Sequence, residues 1–93
     1  MTVKKEDTKR LFEAILSLKN IDECSKFFDD ICTIKEVQSM AQRLEVAKLL
    51  RQKKTFAEIV NATGASTATI SRENRCLING AGGYNTVLDS IKD

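Results

Sequence analysis

Three times along the chain a helix-capping residue is followed, three positions later, by glutamate: Asn20-x-x-Glu23, Thr33-x-x-Glu36 and Thr55-x-x-Glu58. Such a pair satisfies two of the unpaired N–H groups at a helix start, one side chain bonding forward and the other back. The chain contains no proline and no stretch of alternating β-branched residues, so nothing competes with the helices that these caps begin. The expected fold class is all-α, with about six helices.

The first helix is expected over about Asp7 to Lys19, with Leu11, Phe12, Ile15, Leu16 and Leu18 on one broad face. Asn20 caps the second, where Cys24, Phe27, Phe28, Ile31 and Cys32 recur at amphipathic spacing; at that spacing the phenylalanines read as core. Thr33 opens the longest helix. Val37, Met40, Ala41, Leu44 and Ala47 line its inner face, Leu49 and Leu50 stand near its end, and Gln52-Lys53-Lys54 places positive charge at the negative end of its dipole. Gly80-Ala81-Gly82-Gly83 cannot stay helical, because glycine costs about 1 kcal/mol per helical position. With no strand before it and no Gly-Lys-Ser/Thr after, it reads as a turn and not a phosphate loop. Tyr84, Val87, Leu88 and Ile91 then form a last short helix, which needs something to dock on.

Ninety-three residues make one domain, 1–93, and a domain of this size is only marginally stable alone. So many apolar helix faces on so short a chain point to a core shared with a second copy, a homodimer. No apolar run approaches the roughly 20 residues of a membrane span. The N-terminus is charged and lacks the apolar core of a secretory signal, so the expected location is cytoplasmic, with no membrane partner. Cys24, Cys32 and Cys76 form no C-x-x-C pair and there is no histidine. Neither a metal site nor a cofactor is expected. Without histidine and without a carboxylate pair in an apolar setting, the chain is not expected to be an enzyme.

The net charge of +2 is a weak signal, but its distribution is not even. The first 35 residues balance. From Arg43 to Arg75 seven basic residues (Arg43, Lys48, Arg51, Lys53, Lys54, Arg72 and Arg75) stand against Glu45, Glu58 and Glu73, a local balance of +4. This is either a solvated surface or a patch that faces phosphates.

The most informative stretch begins at Thr55. Phe56, Ile59 and Val60 form the buried face of a two-turn helix, Gly64 falls where a helix end needs a left-handed residue, and Ser66 can cap a new helix after about three residues. This is the layout of a helix-turn-helix, at about residues 55–75. In its second helix Ile70, Leu77 and Asn74 face inward, while Thr67, Ala68, Ser71, Arg72 and Arg75 face outward. Small side chains there let the backbone approach a major-groove floor, and arginines reach guanine edges or phosphates.

Leu49-Leu50-Arg51, Thr55, Gly64-Ala65 and Ala68-Thr69-Ile70-Ser71-Arg72 resemble the tryptophan-repressor superfamily, and within it the TrpR-like branch of YerC/YecD type. The match is strongest over residues 44–75. The resemblance implies six helices, an intertwined dimer built from the N-terminal helices and the last one, and repression of transcription through double-stranded DNA. Thr67, Ala68 and Ser71 match family residues that face the operator, and Arg72 matches an arginine that stacks on the bound corepressor. Ser66, Lys53, Lys54 and Arg75 complete the expected DNA-binding set. Three departures stand out. Gln42 aligns with the second corepressor-clamping arginine, which Arg43 reaches only by a one-residue slip; Glu73 stands where the repressor has glycine; Phe56 and Ala57 replace polar and basic residues early in the first motif helix. The fold and the DNA role carry over, whereas L-tryptophan is not expected to be the effector.

The leading reading is a sequence-specific DNA-binding transcriptional regulator. The rival is a helical protein–protein interaction module that keeps the motif as scaffold, and a third reading is a small-molecule-binding domain without DNA contact. The operator, the regulated genes and any effector are not encoded in features that a sequence displays.

Overall fold

The computed structural model describes residues 4–91. They form six α-helices and no strand: α1 Lys5–Leu16, α2 Ile21–Ile31, α3 Ile34–Arg51, α4 Phe56–Thr63, α5 Thr67–Asn79 and α6 Gly83–Ser90. No helix among them is long and apolar enough to cross a membrane. The contacts divide the chain into two compact units, one ending at Val37 and the other beginning at Gln38.

In the first unit α1 begins and ends earlier than the periodicity predicts. Glu6 and Asp7 in its first turn favour the positive end of the dipole. At the other end the Ser17 hydroxyl donates to the Ala14 carbonyl at 2.6 Å, and Lys19 N–H is taken by the Glu23 carboxylate at 2.9 Å, so the chain must leave the helix before Lys19. Asn20 caps α2 as expected, its side chain accepting from Glu23 N–H at 2.9 Å, but Glu23 bonds back to Lys19 and not to the capping residue itself. The Thr33–Glu36 pair is fully reciprocal, and its amide bond holds the Glu36 carboxyl below its ordinary pKa. Neither α1 nor α2 buries a residue; Leu16 and Ile21 are exposed to 84% and 87%.

The second unit is built around Val46, Ile59, Ala65 and Ile70, which are buried together with Leu49, Leu50 and Val60 packed against them. They come from α3, α4, the turn and α5. The sequence reading placed the inner face of α3 at Val37, Met40, Ala41, Leu44 and Ala47; the fully buried positions are Val46 and Ala47, while Met40 is 41% exposed. Apolar residues run nearly round α3, so their spacing alone does not reveal the side that α4 and α5 cover. Phe56, expected in the core, is 39% exposed, because as the first residue of α4 it sits beyond the turn that packs. Thr55 and Glu58 close a reciprocal capping box.

The turn after α4 is wired by Thr63. Its hydroxyl donates to the Ile59 carbonyl at 2.7 Å and accepts from Ala65 N–H at 3.1 Å. Its carbonyl, a helix-end group with no helical partner, accepts from Gln42 Nε2 of α3 at 3.1 Å. Gly64 adopts φ 72°, the left-handed conformation expected of it. Ser66 then caps α5, accepting from Thr69 N–H at 3.1 Å. At the far end of α5, Gly80 is needed for a different reason: a Cβ there would lie 2.2 Å from the Cys76 carbonyl oxygen. Helix α6 is held by Arg51, whose guanidinium donates to the Asn85 carbonyl and side-chain oxygens and to Asp89.

Replacing Ile59 by Ala is expected to lower the unfolding free energy by about 2–5 kcal/mol, and Thr55→Ala by about 0.5–2 kcal/mol through loss of the cap. Urea unfolding of both variants against the parent measures the two values; an Ile59→Ala loss no larger than that of Thr55→Ala contradicts a core centred on Ile59.

Candidate functional site

Helix α5 divides cleanly by face. Ile70 and Glu73 are buried and Thr69, Asn74 and Leu77 half-buried, whereas Thr67, Ala68, Ser71, Arg72 and Arg75 are all exposed. At 3.6 residues per turn the five exposed positions cover an arc of about 140°, centred opposite the buried ones. The helix therefore displays three small side chains near its start and two guanidinium groups beyond them, on a backbone anchored from behind by Ile70.

The other expected site residues lie elsewhere. Ser66 stands at the start of α5, but its hydroxyl is engaged by Thr69, accepting from the N–H and donating to Oγ1 at 3.1 Å. Lys53 and Lys54 are exposed at the corner between α3 and α4. That corner closes through Lys54 N–H to the Leu49 carbonyl at 3.1 Å and Lys53 N–H to the Leu50 carbonyl at 3.0 Å, the pair of bonds of a Schellman motif. The motif needs a left-handed residue where glycine is usual; here it is Lys53, at φ 65°, the sole non-glycine with positive φ among the described residues. For an L-residue this conformation costs roughly 1–2 kcal/mol. Neither Lys53 nor Arg75 enters an ion pair among the described residues.

Two residues singled out as departures from the tryptophan-repressor pattern acquire structural roles. Gln42 is the donor that holds the Thr63 carbonyl. Glu73 is buried, its Oε1 accepting from the Tyr84 hydroxyl of α6 at 2.6 Å, with the Arg72 guanidinium 3.9 Å from Oε2. Partial burial, with the Glu73 hydrogen bond and charge behind it, pushes the Tyr84 phenol up to about 12, against a smaller opposing pull from Arg43. The sequence reading did not find Glu73 as an inward residue; its spacing of three from Ile70 carried that signal, masked by its charge.

Comparison with known proteins gives a consistent picture. Residues 6–92 match the family described as Trp repressor protein. The uncharacterized protein YerC of Bacillus subtilis (strain 168) is 57% identical over 84 residues, covering 90% of this chain and 81% of that one. The crystal structure of a TrpR like protein from Eubacterium eligens ATCC 27750 superposes with a TM-score of 0.91 at 53% identity, covering 94% of this chain and 90% of that one. A further crystal structure, from Staphylococcus aureus, superposes with a TM-score of 0.90 at 49% identity, covering 94% and 87%.

The geometry of the α3–α4 corner sets a test of the Lys53 backbone. Lys53→Gly is expected to raise the unfolding free energy by up to about 1 kcal/mol, relief of the left-handed strain being partly offset by the freer unfolded chain. Lys53→Val is expected to lower it by about 1–2 kcal/mol. Urea midpoints for the two variants should move in opposite directions.

Proposed function

The chain belongs to the Trp repressor family, and on that premise we propose that it is a homodimeric, sequence-specific DNA-binding regulator that represses transcription. In this reading α4, the turn and α5 act as a helix-turn-helix, with α5 lying in the major groove of each half-site. The observation that carries it is the outward face of α5: small residues where close approach is needed and arginine where a longer reach is needed. Thr67, Ala68 and Ser71 meet base edges and thymine methyls, Arg75 reaches a base edge, and Arg72, Lys53 and Lys54 lie nearer phosphates. Ser66 orders the helix start from which these residues project. A left-handed Lys53, where glycine fits better, supports a use for its side chain beyond the turn.

The dimer follows from the apolar surface that one protomer leaves open. Leu11, Phe12, Leu16, Ile21, Ile31 and Ile34 are exposed, and short helices with no buried face do not persist alone in water. A second copy that interleaves with them supplies the missing core and sets two recognition helices at a fixed spacing. L-tryptophan is not the effector in this reading. The side chain at position 42 is a glutamine already committed to Thr63, and a buried carboxylate at position 73 disfavours a ligand that itself carries one.

Genomic footprinting of the native protein identifies its sites, and titration of the best one tests the face. Ser71→Ala or Arg75→Ala should weaken that site by roughly 1–3 kcal/mol, whereas Lys54→Ala should weaken all DNA about equally and lower the salt slope by about one. Added L-tryptophan should leave the affinity unchanged. If the Ser71 and Arg75 variants bind as tightly as the parent, the reading face is wrongly assigned; binding without salt dependence favours the protein–protein module instead.

Sedimentation at micromolar concentration should return a dimer whose unfolding midpoint rises with protein concentration. A compact folded monomer with a concentration-independent transition overturns the shared core.

A further inference from the structure

Glu73 is the one charged residue that the fold buries among the described residues, with 2% of its surface exposed. It sits one turn beyond Ile70 on the inward face of α5. Its Oε1 is held by the Tyr84 hydroxyl of α6; its Oε2 has no hydrogen-bond partner and lies 3.9 Å from Arg72 Nη1. A buried carboxylate that is only half satisfied is an expensive way to join two helices, and an apolar pair of similar volume commonly holds such a joint as well or better. What an apolar pair cannot do is act on a cation. Arg72 is the residue at which the two faces of α5 meet, its side chain 57% exposed on the outward side with its guanidinium beside the buried oxygen.

We infer that Glu73 is a positioning residue for DNA recognition: Tyr84 fixes its carboxylate, and the carboxylate in turn orients the Arg72 guanidinium at the surface of α5. The inference rests on the DNA reading above and adds to it a line of contact from α6 through the interior of α5 to its outward face. The groups that bear on the Tyr84 phenol besides Glu73 are Cys76 from α5, which adds to the upward push, and Arg43 from α3, which opposes it; Arg72 of α5 lies beside the carboxylate. The positive charge that Arg72 offers to phosphate is thereby given a preferred direction before DNA arrives, which reduces the ordering cost of binding.

The chain holds a single tyrosine and no tryptophan, so phenolate absorbance reports on Tyr84 alone. In the free parent protein the phenol should titrate near the value of about 12, and in Glu73→Gln, which removes the negative charge, it should move back toward the ordinary range. Against the best DNA site, Glu73→Gln and Tyr84→Phe should each lose roughly two- to thirty-fold in affinity, the span over which such coupled residues act, and binding to unrelated DNA should weaken in parallel, because the residue they orient faces phosphates. In an Arg72→Ala background Glu73→Gln should cost nothing further. If Glu73→Gln does not fold, Tyr84→Phe, which removes one oxygen, carries the same comparison. A parent phenol that titrates at its ordinary value, variants that bind the site as tightly as the parent, or losses that persist undiminished without Arg72 each overturn the inference. A parent that binds no DNA overturns the DNA reading and the inference with it, whereas unaffected variants of a DNA-binding parent overturn the inference alone.

Discussion

The packing of Ile70 against Val46, Ile59 and Ala65 decides what every other residue of α5 can do. Successive residues of a helix are separated by about 100°, so turning α5 by a single position would bring Ser71 inward and carry Ile70 to the surface. Ile59 and Ile70 are completely buried, and each such side chain contributes roughly 1.5–3 kcal/mol, more than any surface contact of α5 can oppose. The outward set of Thr67, Ala68, Ser71, Arg72 and Arg75 is thus a consequence of the inward one. Ala65 in the turn adds the second constraint, since a larger residue there would hold α4 and α5 apart.

So small an apolar cluster leaves much of the geometry to polar contacts, and these connect elements far apart in sequence. Gln42 reaches across 21 positions to the end of α4, Arg51 across 34 and 38 to α6, and Tyr84 back across 11 to α5. Each uses a group that the local helix leaves open: a terminal carbonyl, a side chain in the final helix, or a carboxylate on an inward face. Gln42 has a particular consequence. Its amide both donates and accepts, so it can hold the Thr63 carbonyl without bringing a charge into the joint, which an arginine at that position would do.

What was legible in the sequence was the part governed by neighbours three or four residues apart. The caps at Asn20, Thr33, Thr55 and Ser66, the left-handed Gly64 and the outward residues of α5 depend on local spacing alone, and the structure has them where spacing puts them. The misreadings share the opposite character. The inner face of α3 depends on which side α4 and α5 cover, and a helix that is apolar nearly all round does not reveal that side. Phe56 looked buried by hydrophobicity but lies at a helix end beyond the packed turn. Glu73 stood out only as a charge in the place of a glycine, because glutamate is almost never fully buried unless paired, and its pairing with Tyr84 is tertiary. The left-handed Lys53 was invisible because residue preference points to glycine there.

Lys53 and Glu73 belong together in another respect. At the Thr55 capping box, the Gly64 turn and the Ser66 cap, local preference, turn chemistry and packing agree, as they do in sequences that specify a single fold. At Lys53 and Glu73 they conflict: a lysine occupies backbone that suits glycine, and a carboxylate occupies space that suits an apolar side chain. Neither conflict is needed to close the fold, since glycine would complete the Schellman turn and an apolar pair would fill the α5–α6 joint. At both positions the conflict bears on a cationic group, Lys53 itself and the Arg72 guanidinium beside Glu73. Departures from local consistency concentrate where a protein meets its ligand. Lys53 stands at the entry to α4 and Glu73 on α5, so both conflicts adjoin the α4–turn–α5 segment, and the groups that they set there, the Lys53 ammonium and the Arg72 guanidinium, are both cationic.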